Sequence, residues 1–214
     1  MTQLSLTFGI ITDGNQDKRI DYIINTIEAQ SIPQDRYEII IVGNSKLVRT
    51  NTRIIPFDES KRTAWITKKK NIIAQEAKFN NIVILHDYII FGFEWYDNYC
   101  EFGEDWDVAM NPIFNQDNTR FRDWVYWPDS AHYLKWINYN DHSWIKDQYL
   151  SGSYYLIKKE FALKHPLNEE LSWGQGEDIE WSRSVRDFWN LKCNKKSWVK
   201  LLKFKEHHVR GYHK

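Results

Sequence analysis

The stretch LSWGQGEDIEWSRSVRD, residues Leu171–Asp187, combines two glycines, two tryptophans and an acidic pair with an amphipathic run. Apolar residues at three- and four-residue steps predict a helix that opens after Gly176. Glu177 and Asp178 suit the first turn of that helix, where free backbone N–H groups favour negative charge. This structural preference alone would explain the two acids, without any catalytic or binding role. Flexible backbone beside flat aromatic faces is also typical of sugar-binding proteins, in which a carboxylate can take a proton from a hydroxyl.

Composition bounds the class of protein. The 214 residues are enough to bury roughly 70% of the unfolded surface. Lys plus Arg (29) equals Asp plus Glu (29), so no basic excess indicates nucleic acid or anionic membrane as a partner. Cys100 and Cys193 form neither a metal-spaced pair nor a disulfide framework. With no signal peptide and no apolar run near the ~20 residues of a membrane span, we expect a cytoplasmic protein.

The first part of the chain has the pattern of a βαβ unit. Leu4–Thr12 and Tyr37–Val42 are apolar runs that predict strands, and Asp17–Gln30 between them has isoleucines at helical spacing. This order predicts a parallel pair, with ligands binding beyond the carboxyl ends of the strands. Thr12-Asp13-Gly14 and Gly43-Asn44-Ser45 follow those ends.

A second helix and a third buried strand follow. Thr63–Phe79 predicts the helix and Asn81–His86 the strand, which leads directly into Asp87. A carboxylate at the carboxyl end of a buried strand is well placed for Mg²⁺ or Mn²⁺. A residue that caps a turn is an equally good interpretation of this aspartate.

The second half of the chain is less regular. Asp105–Asn111 predicts a strand, and Tyr149–Ile157 predicts another in which Gly152 passes close to a ligand or another backbone. Between them, Tyr126–Asp147 is aromatic and without clean periodicity. It predicts either a functional loop or a peripheral subdomain with its own small aromatic core.

The final apolar run is Trp198–Lys205, which predicts a last strand. If alternation continues beyond the run, His208 faces inward, with His207 as the alternate.

With these elements in order, Leu4 to His208 resembles the GT-A glycosyltransferases, nucleotide-sugar enzymes with one Rossmann-like domain. The most specific match is YLSGSYYLIKKEFALKHPLNEELSWGQGEDIEWSRSVRD. Galactosyltransferase-like and polypeptide N-acetylgalactosaminyltransferase-like enzymes share its glycine strand, helix, and tryptophan-glycine and glutamate-aspartate element. The resemblance implies a single α/β domain over residues 1–214, with three layers and a mostly parallel central sheet. Residues 1–110 would be the nucleotide-binding half and residues 111–210 the acceptor and catalytic half.

The resemblance also implies a donor site for a UDP-sugar. Thr12, Asp13 and Gly14 lie in the segment LTFGIITDG, which corresponds to the nucleotide-binding turn. The second strand, IIIVGNS, lacks the usual acidic pair, so Asn44 would contact uridine without a carboxylate.

Lys70-Asn71 looks like the arginine-asparagine pair that many inverting members carry in the helix before the metal strand. The lysine would meet the diphosphate as a point charge. His86-Asp87-Tyr88 stands in place of the family's acidic metal motif and keeps one carboxylate. The implied cofactor is Mn²⁺ or Mg²⁺, held by Asp87, His207 or His208, the diphosphate and waters.

The implied reaction moves a hexose, either galactose, glucose or an N-acetylated form, to a hydroxyl of a carbohydrate or other acceptor with inversion. By resemblance Asp178 is the general base and Glu177 orients the acceptor or the donor sugar. Gly152 and Trp173 shape the sugar pocket.

Two other functions fit parts of the sequence. A glycoside hydrolase would use Glu177, Asp178 or Glu180 as its carboxylate pair, although such pairs usually come from separate elements. A non-catalytic carbohydrate-binding module derived from a transferase is favoured by the lone Asp87 and by the missing acidic pair near Asn44. The complete GEDIE element counts against the module.

Overall fold

The structure, a computed structural model, describes residues 3–127 and 134–206, together with the backbone of Val209–Arg210. The strands in chain order are β1 Leu6–Ile11, β2 Tyr37–Val42, β3 Thr52–Ile55, β4 Asn81–His86, β5 Ile89–Phe91, β6 Val108–Met110, β7 Ile113–Phe114, β8 Val125–Tyr126, β9 Leu134–Trp136, β10 Gln148–Tyr149, β11 Tyr154–Lys158, β12 Leu191–Cys193, β13 Val199–Leu201 and β14 Val209–Arg210. The α-helices are α1 Asp17–Glu28, α2 Ile66–Glu76, α3 Trp95–Phe102, α4 Lys159–Lys164 and α5 Glu177–Val185. A membrane span needs a longer and more apolar helix than any in the described part of the chain.

The central sheet has seven strands in the order β12-β6-β11-β4-β1-β2-β3. Strand β11 pairs antiparallel with both of its neighbours, and every other pairing in the sheet is parallel. This confirms the predicted α/β class with a mostly parallel sheet. The predicted βαβ unit is also present, as β1, α1 and β2.

Helices cover both faces of this sheet, as successive residues of β1 show. Phe8 packs on one face against Trp95 of α3, with ring centroids 5.9 Å apart. On the other face, Gly9 lies directly against Ile73 of α2. Because side chains alternate along a strand, α2 and α3 lie on opposite sides, which gives three layers.

Two predicted strands were wrong in part. Tyr149–Ile157 is not one strand, because β10 pairs with β8 in a small sheet whereas β11 joins the central sheet. The alternation of side chains along a strand is the same in either sheet, so it cannot predict that the chain passes from one sheet to the other around Gly152. In Trp198–Lys205, regular structure ends at Leu201, and the next residue donates its N–H to the Tyr88 carbonyl at 2.8 Å. The predicted inward face therefore does not continue, and His207 and His208 lie outside the described residues.

A four-stranded sheet, β10-β8-β9-β14, lies beside the central one. It has its own small cluster of Val125, Leu134 and Tyr149, packed against Trp127 and Trp136. Of the two interpretations of Tyr126–Asp147, this arrangement agrees with the peripheral subdomain.

Gly9→Ala is expected to destabilise the protein by about 1–3 kcal/mol, the usual range for overpacking a core. An added Cβ would lie 2.3 Å from Ile73 Cγ2, and a β-branched side chain in a helix has little rotamer freedom. Urea denaturation measures the change.

Ile73→Ala provides the control, because it removes the side-chain atoms that the new methyl would meet. The double variant should lose less stability than the sum of the single variants. Additive losses would contradict the proposed contact between Gly9 and Ile73.

Candidate active site

Three adjoining cavities lie along the edge where β1, β2 and β4 end together, since Ile11 is in register with both Val42 and His86. We name each after one residue: the Asn44 cavity of about 470 Å³, the Asp87 cavity of about 260 Å³, and the Asp178 cavity. Asp13 lines the first two. The Asp87 and Asp178 cavities share His86, Tyr88, Trp173 and Lys205. The shared walls make the three cavities one cleft.

The Asn44 cavity is built by the turns that follow β1 and β2. Asp13, Gly14, Gly43 and Asn44 line it. Gly43 has φ +143°, and a Cβ there would lie 2.3 Å from the Thr12 carbonyl oxygen. Only glycine allows the two turns to approach so closely. The structure therefore brings Asp13, Gly14 and Asn44 together, as the sequence predicted.

Asp87 is buried at the floor of the middle cavity, and both of its oxygens have partners. Thr12 Oγ1 donates to Oδ2 at 2.7 Å, and Arg19 Nη2 pairs with Oδ1 at 3.2 Å. The Thr12 hydroxyl also accepts the Gly14 N–H at 3.2 Å. These contacts hold the carboxylate, the guanidinium and the first turn in one network.

A divalent cation fits the described residues of this cavity poorly. Among residues 3–127 and 134–206, no three His, Cys, Asp or Glu side chains are grouped to hold a metal ion. Asp87 already has an ion pair with Arg19, and the ammonium groups of Lys203 and Lys205 line the same cavity. Like charges oppose a further cation there. The other predicted ligands, His207 and His208, lie outside the described residues.

His86 separates the middle cavity from the third. Burial lowers the pKa of its imidazole well below the ordinary value, and the charges of Lys70, Lys205 and Lys203 act in the same direction. The ring is therefore neutral at pH 7. It packs at 5.3 Å from the ring of Tyr88.

The third cavity contains the acidic pair at the start of α5. Gly176, with φ +75°, turns the chain into the helix, as the sequence predicted. The Gly152 N–H donates to Asp178 Oδ2 at 3.0 Å, and the Ile179 N–H lies 3.0 Å from Oδ1. A carboxylate oxygen has two lone pairs, so each keeps one for another partner. Burial raises the pKa of Glu177, as does the neighbouring charge of Asp178, while Lys70 opposes both.

Lys70 lies beneath this pair and not in the Asp87 cavity. The side chain is buried, and Nζ donates to the Gly152 carbonyl at 2.7 Å. Burial lowers the pKa of Lys70, and the carboxylates of Glu177 and Asp178 oppose that effect. Its expected contact with a diphosphate remains a prediction, and its contact in the structure is with the Gly152 peptide.

Asn71 also contacts protein groups. Its side-chain amide donates to the Leu167 carbonyl at 2.9 Å and accepts the N–H of the same residue at 3.0 Å. This pair of hydrogen bonds fixes the loop that leads to α5.

Trp173 lies at the rim of the cleft, where it lines both the Asp87 and Asp178 cavities. The residue is 62% exposed, although its backbone N–H is anchored to the Ala64 carbonyl at 3.1 Å. A large exposed aromatic surface beside a polar cavity suits stacking on a sugar ring.

No protein-family model matches the chain. A search of curated proteins likewise gives no match. Solved structures do resemble it: S. aureus TarS 1-349 in complex with UDP-GlcNAc superimposes with a TM-score of 0.67 at 13% identity. GalNAc-T7 with UDP, GalNAc and Mn²⁺ superimposes with a TM-score of 0.66, also at 13% identity. The chain has the GT-A glycosyltransferase fold.

The likeness covers 96% of this chain against TarS 1-349 and 99% against GalNAc-T7. In the other direction, the chain spans only 60% of the TarS fragment and 45% of GalNAc-T7. The comparison thus concerns the GT-A fold that the proteins share.

Sequence reasoning missed the basic side of this GT-A cleft. Lys203 and Lys205 lie over the ring of Tyr88, with ammonium-to-centroid distances of 4.1 and 4.4 Å. Burial lowers the pKa of Lys205 to about 8, helped by the charges of Lys203 and Arg122, so the ammonium is protonated at pH 7. The available signal was the alternation in KFKEHH, residues 203–208, which places Lys203 and Lys205 on the same face of the segment. That alternation was used only to orient His207 and His208.

Replacing Lys70 by Met is expected to destabilise the protein by about 1–3 kcal/mol, because it leaves the Gly152 carbonyl without its donor and Glu177 without a nearby cation. Chemical denaturation measures this change. Lys68→Met in the same helix is the control. Lys68 is partly exposed and paired with Glu169, so its loss should cost at most about 1 kcal/mol. Equal losses of stability in the two variants would show that the buried Lys70 contact contributes no more than the partly exposed pair of Lys68 and Glu169.

Proposed function

We propose that the chain is an inverting glycosyltransferase that moves a hexose from a UDP-sugar to an acceptor hydroxyl. The observation that carries this proposal is the order of the three cavities along one cleft. Asn44 would bind the uracil base at one end, the Asp87 cavity would hold the diphosphate, and the sugar would reach Asp178 at the other end. In this proposal residues 1–110 bind the nucleotide and residues 111–210 bind the acceptor.

The chemistry is a single in-line displacement. The acceptor oxygen forms a bond to the anomeric carbon while the bond from that carbon to the phosphate oxygen breaks. The electron pair of the broken bond leaves on UDP, and the acceptor proton passes to Asp178. The products are UDP and a glycoside of inverted configuration.

The contacts of Asp178 support its role as the base. The Gly152 carbonyl accepts from Lys70 Nζ at 2.7 Å, and the Gly152 N–H donates to Asp178 Oδ2 at 3.0 Å, which fixes one carboxylate oxygen. A fixed carboxylate facing a cavity meets the positional requirement for proton transfer. Glu177, buried beside it, would orient the donor or acceptor sugar.

The ligands of the structural neighbours support the choice of donor. TarS was solved with UDP-GlcNAc and GalNAc-T7 with UDP and GalNAc, so UDP-N-acetylhexosamines are the first donors to try, followed by UDP-galactose and UDP-glucose. The Mn²⁺ of GalNAc-T7 supports testing a divalent cation here as well. No step above requires that cation.

Asp178→Asn should retain UDP binding but lower the rate of UDP release from UDP-sugar by at least about 10²-fold, since it removes the proton acceptor and preserves the shape. The assay uses a panel of UDP-hexoses with a mixture of glycan acceptors.

Glu180→Gln is the matched control, because this acid is on the same helix but exposed to solvent. Its rate should equal that of the wild type. Equal rates in Asp178→Asn and wild type would remove Asp178 from the mechanism. Sugar release from a glycoside without nucleotide would instead support a hydrolase, and glycan binding without UDP binding would support a binding module.

Asn44→Ala should weaken UDP binding by about three- to tenfold, the equivalent of one hydrogen bond to the base. Calorimetric titration with pyrophosphate serves as the comparison, because that ligand lacks a base and its affinity should not change. A parallel loss for both ligands would place Asn44 at the phosphates.

A further inference from the structure

The Asp87 cavity contains more positive charge than its acidic groups balance. Arg19 is paired with Asp87, and Lys69 is paired with Glu59. Lys203 and Lys205 have no carboxylate partner within 4.0 Å among the residues that the structure describes. Asp13 is the other acidic residue that lines the cavity, so within the described residues two ammonium groups face it without an ion pair.

The backbone that carries these lysines is held in place from two sides. The Tyr88 carbonyl accepts the Leu202 N–H at 2.8 Å. The side-chain amide of the fully buried Asn115 accepts the Lys205 N–H at 3.0 Å and donates to the Lys205 carbonyl at 3.0 Å. The segment after β13 is therefore anchored although it has left the sheet, and the lysine heads are presented over Tyr88.

Lys205 is placed between the nucleotide end and the sugar end of the cleft. It lines both the Asp87 and the Asp178 cavities, and Nζ donates to the Tyr88 hydroxyl at 2.6 Å. An ammonium group has three N–H donors, so two remain for a ligand. Arg19 lines the same cavity, and its Nε has no hydrogen-bond partner among the described groups.

We infer that Lys203 and Lys205, with Arg19, bind the diphosphate of the donor and balance its charge without a divalent cation. The inference rests on the proposed function and concerns which groups meet the leaving UDP. As the bond to the anomeric carbon breaks, negative charge grows on the departing phosphate oxygen. Fixed ammonium groups at that position stabilise the charge more in the transition state than in the bound donor. Asp87 then acts as a positioning residue that holds Arg19 and Thr12.

The first experiment is calorimetric titration of the whole chain with UDP, in EDTA and then in Mn²⁺. We expect the two dissociation constants to agree within about threefold. UDP binding that appears only with Mn²⁺ would overturn this inference and leave the proposed function standing. No UDP binding in either buffer would overturn both.

The second experiment identifies the side chains. In EDTA, the double change Lys203→Gln and Lys205→Gln should weaken UDP binding by at least about tenfold, the equivalent of one charge-assisted hydrogen bond. Lys200→Gln is the control, because Lys200 belongs to β13 and contacts Asn118 at 2.7 Å instead of the cleft. UDP binding unchanged in the double variant would overturn the assignment.

Two further variants guard against a folding defect. The double change Lys203→Arg and Lys205→Arg keeps the charge and should retain UDP binding. Lys203 is exposed, so Lys203→Gln alone should keep the thermal stability of the wild type while weakening UDP binding. Unchanged binding in that single variant, together with loss of fold in the double variant, would also count against the inference.

Discussion

The register of the central sheet is the constraint on which the site depends. Ile11 is level with Val42 on one side and with His86 on the other, so three parallel strands end at the same height. The residues that follow them, Thr12, Asn44 and Asp87, must then meet at one edge. A shift of one residue in either pairing would turn the strand's side chains to the opposite face and separate this group.

The backbone of one residue, Gly152, connects that edge to the acidic pair. The Gly152 carbonyl accepts from Lys70 of α2, and its N–H donates to Asp178 of α5. A Cβ at Gly152 would lie 3.1 Å from the Lys70 ammonium and 3.2 Å from Asp178 Cβ, so a side chain would press on both partners. The Asp178 end of the cleft is thereby tied to α2, the helix that packs on β1.

Charge is distributed unevenly within a chain whose formal net charge is zero. Carboxylates Glu177 and Asp178 are gathered at one end of the cleft, and Lys203 and Lys205 line its middle. In the reaction that we propose, this arrangement would separate the group that accepts the proton from the groups that stabilise the departing anion. Both are needed in one displacement, and net charge alone gives no hint of either.

Local pattern was sufficient for the elements that bury a face. The isoleucines of α1 are all buried, the bounds of β2 and β4 are those predicted, and the glycine turn does open α5. Burial imposes a period on such segments, and a period is visible in the sequence. Periodicity cannot predict a particular fold or a catalytic residue. The GT-A fold and the candidate general base, Asp178, came instead from the resemblance to GT-A glycosyltransferases.

Tertiary contacts decided what pattern cannot express. Gly152 marks a change of sheet because Lys70 and Asp178, distant in sequence, take the hydrogen bonds of its carbonyl and its N–H. The segment after Leu201 leaves the strand because Tyr88 and Asn115 take its hydrogen bonds, and this places Lys203 and Lys205 in the cleft. The sequence by itself thus determined which segments form strands and helices. Only long-range hydrogen bonds and burial decided which charges share a cavity, because those energies depend on partners far away along the chain.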